Sequence, residues 1–500
     1  MKRYSVCMLG MLMLVISLTA CGWKSHGEAY NEKNNDEKAY FLSMAVSLSG
    51  ETTPQNTQIK QAIEAFTNTE LQIQWIPYSA YEEKVKLMIA SGELPKLIKL
   101  DYTPTIIATL KAGQFWELGP LLNGYHNLSA PSPMHYDNIS IDGKIYGIPL
   151  FRELGRASVQ YRKDWFDKLG LEPPVTLDDW YKVVRALTLN DPDGNGVNDT
   201  YGMALDKQYN MDIYSTLTRI AVSQGAPTKW MVEDGRFTPD FMTEPYFETM
   251  KLFRRLYQEK LINEDFAIVG TADSVKLYNG GRAGIQIVGG YAQTWQDKLN
   301  NTVPSAVVDV APLMGPDGIR LPGESGNAGF LAIPKDSVRT EEEVKQILSF
   351  LDTLLEMPMQ ALLSKGIEGR HWTDRGEYAD FIDRNLFLAE VKPYRDTLPF
   401  LGDHNPLLEP VLQPELFRKN QKIHKENEAY IVSNPALTLN SDTYAERGRE
   451  LEIMIMDTQT KFIIGKLDEE GWKNGIDKWR KSGGDKLIRE YEEAYRQKGK

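Results

Sequence analysis

Residues 40–100 constrain the fold more than any other stretch, because their apolar pattern changes period four times. Residues 40–48 (YFLSMAVSL) have the make-up of a buried strand, and a turn separates them from a helix-spaced segment over about 55–66. Residues 71–76 (LQIQWI) alternate with period two, as a half-buried strand does. Helical spacing returns over 81–91 at Val85, Met88 and Ile89, Gly92 ends it, and 94–100 (LPKLIKL) reads as a further strand. Strands joined through helices pair in parallel, so the pattern predicts an α/β fold whose sheet is mainly parallel and covered by helices. Open α/β sheets bind ligands beyond the carboxyl ends of their strands. Asp101 and Tyr102, directly after the third strand signal, are therefore candidate ligand residues.

The alternation continues. Strand signals at 145–150 (IYGIPL) and 158–161 open a second region, where Thr176-Leu-Asp-Asp179 forms a capping box for a helix through Leu187. Further strands are expected at 283–288 (AGIQIV), with Tyr291 and Trp295 just beyond, at 307–312 and at 329–333. From Glu341 onward the pattern is mostly helical. A chain of 500 residues exceeds what one hydrophobic core normally serves, so two lobes are expected.

Both cysteines, Cys7 and Cys21, lie within the first 21 residues, which excludes disulfides and thiolate metal sites from the body. Lys2 and Arg3 precede an apolar run that ends in Leu18-Thr19-Ala20-Cys21-Gly22. The run is too short for a comfortable span and has the length of a signal h-region. Its end resembles the bacterial lipoprotein box, which implies cleavage before Cys21, lipid on its sulfur and an extracellular, membrane-anchored location. Residues 23–38 are polar and read as a tether. Over the whole chain 57 basic residues face 69 acidic ones, a balance of −12 that excludes a nucleic-acid binder.

The sharpest local motif is Asp191-Pro-Asp193-Gly-Asn195-Gly-Val197-Asn-Asp199-Thr200. It sets side-chain oxygens at positions 1, 3, 5 and 9, a main-chain carbonyl at Val197, and a glycine where a calcium loop turns sharply. Position 12 is Gly202, so the bidentate glutamate of an EF-hand is absent. The expectation is structural Ca²⁺ on Asp191, Asp193, Asn195, the Val197 carbonyl and Asp199, with Thr200 or water completing the shell. A metal-free Asx-rich turn is the competing reading. Enzyme motifs are absent: there is no phosphate-binding G-x-x-x-x-G-K-[ST] loop, no H-E-x-x-H, and Gly323-Glu-Ser325-Gly-Asn327 lacks the last glycine of a nucleophile elbow.

The lipoprotein box, Tyr146-Gly-Ile-Pro149, Tyr161-Arg-Lys-Asp164-Trp165, and Thr176–Trp180 followed by residues 191–202 stand together in order. With Gly366-Ile-Glu-Gly-Arg370 and the tail from Trp479 to Tyr491, they resemble the extracellular solute-binding proteins of ABC importers. Within these the chain is similar to the long Bacillus and Paenibacillus lipoprotein branch and to alginate-oligosaccharide-binding proteins. The resemblance implies a two-lobed, periplasmic-binding-protein-like fold of type II, with a hinge and a helical C-terminal region. It implies a signal at 1–20, a lipidated Cys21 and tether over 21–39, one lobe of 40–150 plus about 303–345, and a second of 151–302 plus about 346–500. A monomer capturing an oligosaccharide for membrane permease subunits is expected, without catalysis. Sugar rings stack on aromatic faces and their hydroxyls take polar contacts. The candidates are Asp101, Tyr102, Arg152, Tyr291, Trp295, Glu368, His371 and Trp372. The alternatives are a surface-anchored glycan-degrading enzyme and a sensor that presents ligand to a membrane kinase.

Overall fold

The computed structural model describes residues 38–48, 54, 58–376, 379–401 and 413–498. The signal, Cys21 and the tether up to residue 37 lie outside them. Strand β1 (Tyr40–Leu48) leads through helix α1 (Gln58–Thr67) to β2 (Thr69–Pro77), and through α2 (Tyr78–Ser91) to β3 (Leu97–Leu100). The crossovers make β1 pair in parallel with both neighbours, in a register running from Tyr40 opposite Thr69 to Leu48 opposite Pro77. Gly92 stops α2 because it takes a left-handed φ of 71°, which lets its N–H cap the Ile89 carbonyl. Strand β4 (Gly147–Phe151) completes the sheet through β10 (Asn327–Ala332), with strand order β2-β1-β3-β10-β4 and antiparallel pairing at β10.

The second sheet departs from the parallel expectation. Its centre is β5 (Ser158–Arg162), paired antiparallel to β8 (Ile285–Val288) and β9 (Val308–Pro312). All of β5 is buried. Helix α4 (Leu177–Leu189) covers this region and starts at the expected capping box: the Asp179 N–H donates to Thr176 Oγ1 (3.2 Å), and the Thr176 N–H donates to Asp179 Oδ2 (2.9 Å). A hairpin of β6 (Trp230–Glu233) and β7 (Arg236–Pro239) follows helix α5 (Thr216–Ser223) and precedes helix α6 (Glu244–Gln258). The C-terminal helices α10 (Asp442–Ile463), α11 (Glu469–Trp479) and α12 (Asp485–Lys498) close over it, with Trp230 meeting Tyr491 edge-on at 5.1 Å and Phe241 meeting Trp479 at 5.0 Å.

Two large cores result. One joins the first sheet to α1, helix α8 (Glu341–Leu354) and residues 357–400; the other joins the second sheet to α4, α6 and the C-terminal helices. The expected lobe limit at 345 falls inside α8, and residues 346–400 pack with the first core instead of the second. Helix α8 presents Val344, Ile347, Leu348, Leu351 and Leu354 on one buried stripe, which packs into the first core. The chain passes between the sheets at 152–157 and at 313–326.

Candidate functional site

A cavity of about 560 Å³ lies beyond the carboxyl end of β3. Tyr102 and one face of helix α3 (Pro104–Lys111), with Ile107, Ala108 and Lys111, form one wall. Thr103 caps α3 by accepting the Ile106 N–H, which fixes the helix start directly behind Tyr102. The opposite wall comes from the 210–214 loop, the open end of the β6–β7 hairpin, and the face of α10 that carries Tyr444, Leu451, Glu452, Ile455 and Gln459. Tyr214 is 45% exposed and Tyr444 40% exposed, so rings remain free on this wall. The Tyr444 hydroxyl donates to Glu452 Oε1 (2.9 Å), while that of Tyr102 donates to the Ser140 carbonyl (2.9 Å).

Polar side chains line the cavity floor. Asn210 Nδ2 donates to Gln459 Oε1 (2.6 Å), and Gln459 Nε2 donates to the Tyr246 hydroxyl (2.9 Å). Asp240, 4% exposed, accepts the Phe241 N–H on Oδ1 (2.7 Å). Asp240 Oδ2 and Asn210 Oδ1 have no hydrogen-bond partner among the described residues. Burial pushes the Asp240 carboxyl up to about 6, the charge of nearby Lys229 opposing the rise only partly. Beside the cavity, on the segments joining the two sheets, Arg156 binds Glu324 through Nε (2.7 Å) and Nη2, and Arg219 Nη2 lies 3.7 Å from Glu324 Oε1.

Of the candidate ligand residues, Tyr102 lines this cavity. Asp101 lines a separate cavity of about 280 Å³ and pairs with the buried Lys99 (2.7 Å). Arg152 donates to the Phe151 carbonyl (2.9 Å), and Tyr291 stacks on Phe417 at 4.1 Å with its hydroxyl on Glu153 (3.2 Å). Trp295 is a core residue, 4% exposed and edge-on to Tyr278, whose carbonyl takes its indole N–H. His371 and Trp372 are buried in the turn after Gly366: Ile367 N–H donates to His371 Nδ1 (3.0 Å), and Trp372 Nε1 donates to the Gly366 carbonyl (3.1 Å). Glu368 is exposed on that turn. The structure does not bring these residues together at the 560 Å³ cavity. Trp230, Asp240, Tyr214 and Tyr444 line the cavity and were not among the candidates. A signal for the first two existed: Asp234-Gly235, both at positive φ (51° and 74°), is the hairpin turn that sets Trp230 opposite Pro239.

In the 191–199 loop, Asn195 Nδ2 donates to Asp193 Oδ2 (2.9 Å) and Asp199 Oδ1 (3.1 Å), and Asp191 Oδ2 accepts the Gly196 N–H (3.1 Å). Burial, followed by the Asp191 contact and the charges of Asp199 and Asp191, raises the Asp193 carboxyl above its ordinary range. Asp191 Oδ1 is buried without a partner among the described residues. These carboxylates and this orphaned oxygen suit a hard cation. Thr200 does not belong to the set, because its hydroxyl donates to the Leu187 carbonyl (2.8 Å) in the packed interior. Among the described residues no group of three or more His, Cys, Asp or Glu is arranged to hold a metal ion.

Residues 49–361 match the family model described as bacterial extracellular solute-binding protein, and the chain belongs to that family, one of binding proteins rather than enzymes. It is 36% identical over 485 residues to lipoprotein LipO of Bacillus subtilis, covering 94% of this chain and 95% of that one. It is 34% identical over 504 residues to the polygalacturonan/rhamnogalacturonan-binding protein YtcQ of the same organism, covering 97% and 98%. The fold matches an EF-hand mutant of the Streptococcus pneumoniae substrate-binding protein FusA in complex with fructo-nystose, with a TM-score of 0.66, 19% identity, and 91% and 99% coverage. Among the described residues no helix is long and apolar enough to cross a membrane.

Proposed function

We propose that the chain captures an oligosaccharide in the 560 Å³ cavity and delivers it to the permease of an ABC importer. The observation that carries this reading is the pairing of accessible rings with polar groups around one cleft. Tyr102 stands on the wall that follows β3, and Tyr214, Trp230 and Tyr444 stand on the other. Sugar rings present C–H faces to such rings, and part-exposed polar groups of the wall, such as the Tyr444–Glu452 pair, meet their hydroxyls, with the buried floor network holding the wall in place. The segments at 152–157 and 313–326 are the proposed hinge, with the first lobe extended to include residues 346–400. Closing over a ligand stabilises whichever arrangement binds it better. Lipidation at Cys21 would hold the chain at the extracellular face of the membrane, as a monomer. Asp191, Asp193, Asn195, Asp199 and the Val197 carbonyl would hold a structural Ca²⁺, whose charge would offset their crowded carboxylates. The carbohydrate complex named for FusA and the glycans named for YtcQ support the oligosaccharide reading, and the EF-hand named for FusA supports the cation reading.

The test is a thermal melt of the purified chain with a panel of oligosaccharides. The expected result is a higher melting temperature with at least one sugar, recovered intact. At a ligand concentration of 100 times Kd the stabilisation is about 2.7 kcal/mol. No shift with any sugar, or turnover of glycosidic bonds, refutes the reading.

A further inference from the structure

Helix α10 carries a glycine where its own stability favours almost any other residue. Gly448 lies inside this 22-residue helix, is buried, and lines the 560 Å³ cavity. Glycine weakens a helix interior because its backbone loses the most freedom on folding. No positive φ calls for it here, since Gly448 has helical backbone. What requires it is the side chain of Tyr444, one turn earlier. A Cβ on Gly448 would stand 2.6 Å from Tyr444 Cδ2, 2.8 Å from Cε2 and 3.0 Å from Cγ, so the ring fills the space of any side chain at 448. The ring is thereby laid along the helix, with Gly448 beneath it and Glu452 at its hydroxyl one turn further on. Tyr491 backs it at 6.4 Å. Tyr444 remains 40% exposed, and both it and the half-buried Glu452 line the cavity. Glu452 accepts the Tyr444 hydroxyl on Oε1 (2.9 Å) and pairs through Oε2 with Arg449 Nη1 (3.6 Å). A carboxylate offers about four lone-pair sites, so acceptor capacity remains beside an accessible ring.

We propose that Tyr444 and Glu452 form a subsite for one ring of the bound sugar, with Gly448 as the positioning residue that sets it. Tyr444 lies under the C–H face of that ring, and Glu452 accepts a hydroxyl from its rim. The proposal rests on the oligosaccharide reading above and assigns residues within it. Gly448 touches no ligand and acts only through the Tyr444 ring. A ring already held against the helix has little freedom left to lose when a sugar stacks on it. A substitution that merely moves the ring therefore costs about as much affinity as one that removes it.

The test is isothermal titration of the purified chain with trisaccharides of galacturonate, galactose, xylose, glucose and fructose, followed by titration of variants with the sugar that binds. Tyr444→Ala is expected to weaken binding by at least about fivefold, the scale of an aromatic anchor truncated at an interface. Glu452→Gln is expected to weaken it by about fivefold, as a charge-assisted hydrogen bond becomes a neutral one. Gly448→Ala is expected to match the Tyr444→Ala loss while the chain still melts cooperatively, because alanine favours the helix and the part-exposed ring swings aside. Combined with Tyr444→Ala, it is expected to cost no further affinity, an outcome that a role in the helix alone would not produce. Full affinity in any of the three single variants, or a Gly448→Ala loss that persists without the ring, overturns the proposal while leaving the oligosaccharide reading intact. Should Gly448→Ala fail to fold, the Tyr444 and Glu452 variants still decide the subsite. Failure of every sugar to bind the unaltered chain overturns that reading and the proposal with it.

Discussion

Replacing Asp240 by Asn is expected to stabilise the unliganded chain at neutral pH. The carboxyl is 4% exposed, and burial pushes it up to about 6 from an ordinary value of 3.8. A carboxyl raised in the folded state favours the protonated form there. Its contribution to stability is fully present below pH 3.8 and is lost as pH rises through about 6. The difference of about 2 pKa units corresponds to about 3 kcal/mol at pH 7.5. Asn is nearly isosteric with the protonated acid and keeps an acceptor for the Phe241 N–H. The variant is therefore expected to gain about 3 kcal/mol at pH 7.5 and almost nothing at pH 3.5. Urea unfolding followed by tryptophan fluorescence at both pH values measures the gain and its disappearance. Equal effects at the two pH values, or a loss of stability at pH 7.5, would refute the argument that Asp240 is a buried, underpaired charge. Retaining such a charge in the free protein is the kind of stability cost that binding sites carry.

Glu324→Gln removes the anion shared by Arg156 and by Arg219, which burial already holds below its ordinary pKa, so a loss of about 3 kcal/mol is expected in urea unfolding; an unchanged midpoint would show that the cluster is solvated. Trp295→Ala should cost about 3–5 kcal/mol as a core cavity, and sugar affinity measured on the folded fraction should stay the same. A selective loss of affinity would instead place Trp295 at the ligand. Calcium is expected to raise the melting temperature of the chain, and Asp191→Ala should abolish the rise; a melt insensitive to both calcium and EDTA argues against the loop as a cation site.

Much of the local structure was legible before any contact was known. Strand β1 spans the nine residues that its composition marked out, the Thr176–Asp179 box opens α4, and Gly92 ends α2. Each of these depends on residues within a turn or two, where backbone propensity and capping act directly. The antiparallel second sheet was not legible, because β5 takes its partners at Ile285–Val288 and Val308–Pro312, more than a hundred residues away. The lobe limit at 345 failed for a related reason: α8 advertises an apolar stripe but not which core receives it.

The same division holds for the site. Chain order alone set Tyr102 at the mouth of a parallel sheet, and residue spacing alone brought Asp191, Asp193, Asn195 and Asp199 into one loop. Which aromatics stay accessible was decided by packing. Trp295 and Trp372 have the composition of sugar platforms and are enclosed by Tyr278 and by the 366–372 turn, while Tyr214 and Tyr444 stay partly open. The charge at Asp240 follows the same rule. An aspartate after Pro239 is unremarkable in sequence; α10 and the Asn210 loop, which share the cavity with it, arrive from far along the chain. Burial and the pairing of charges arise from everything that surrounds an atom, and only the folded chain assembles those surroundings.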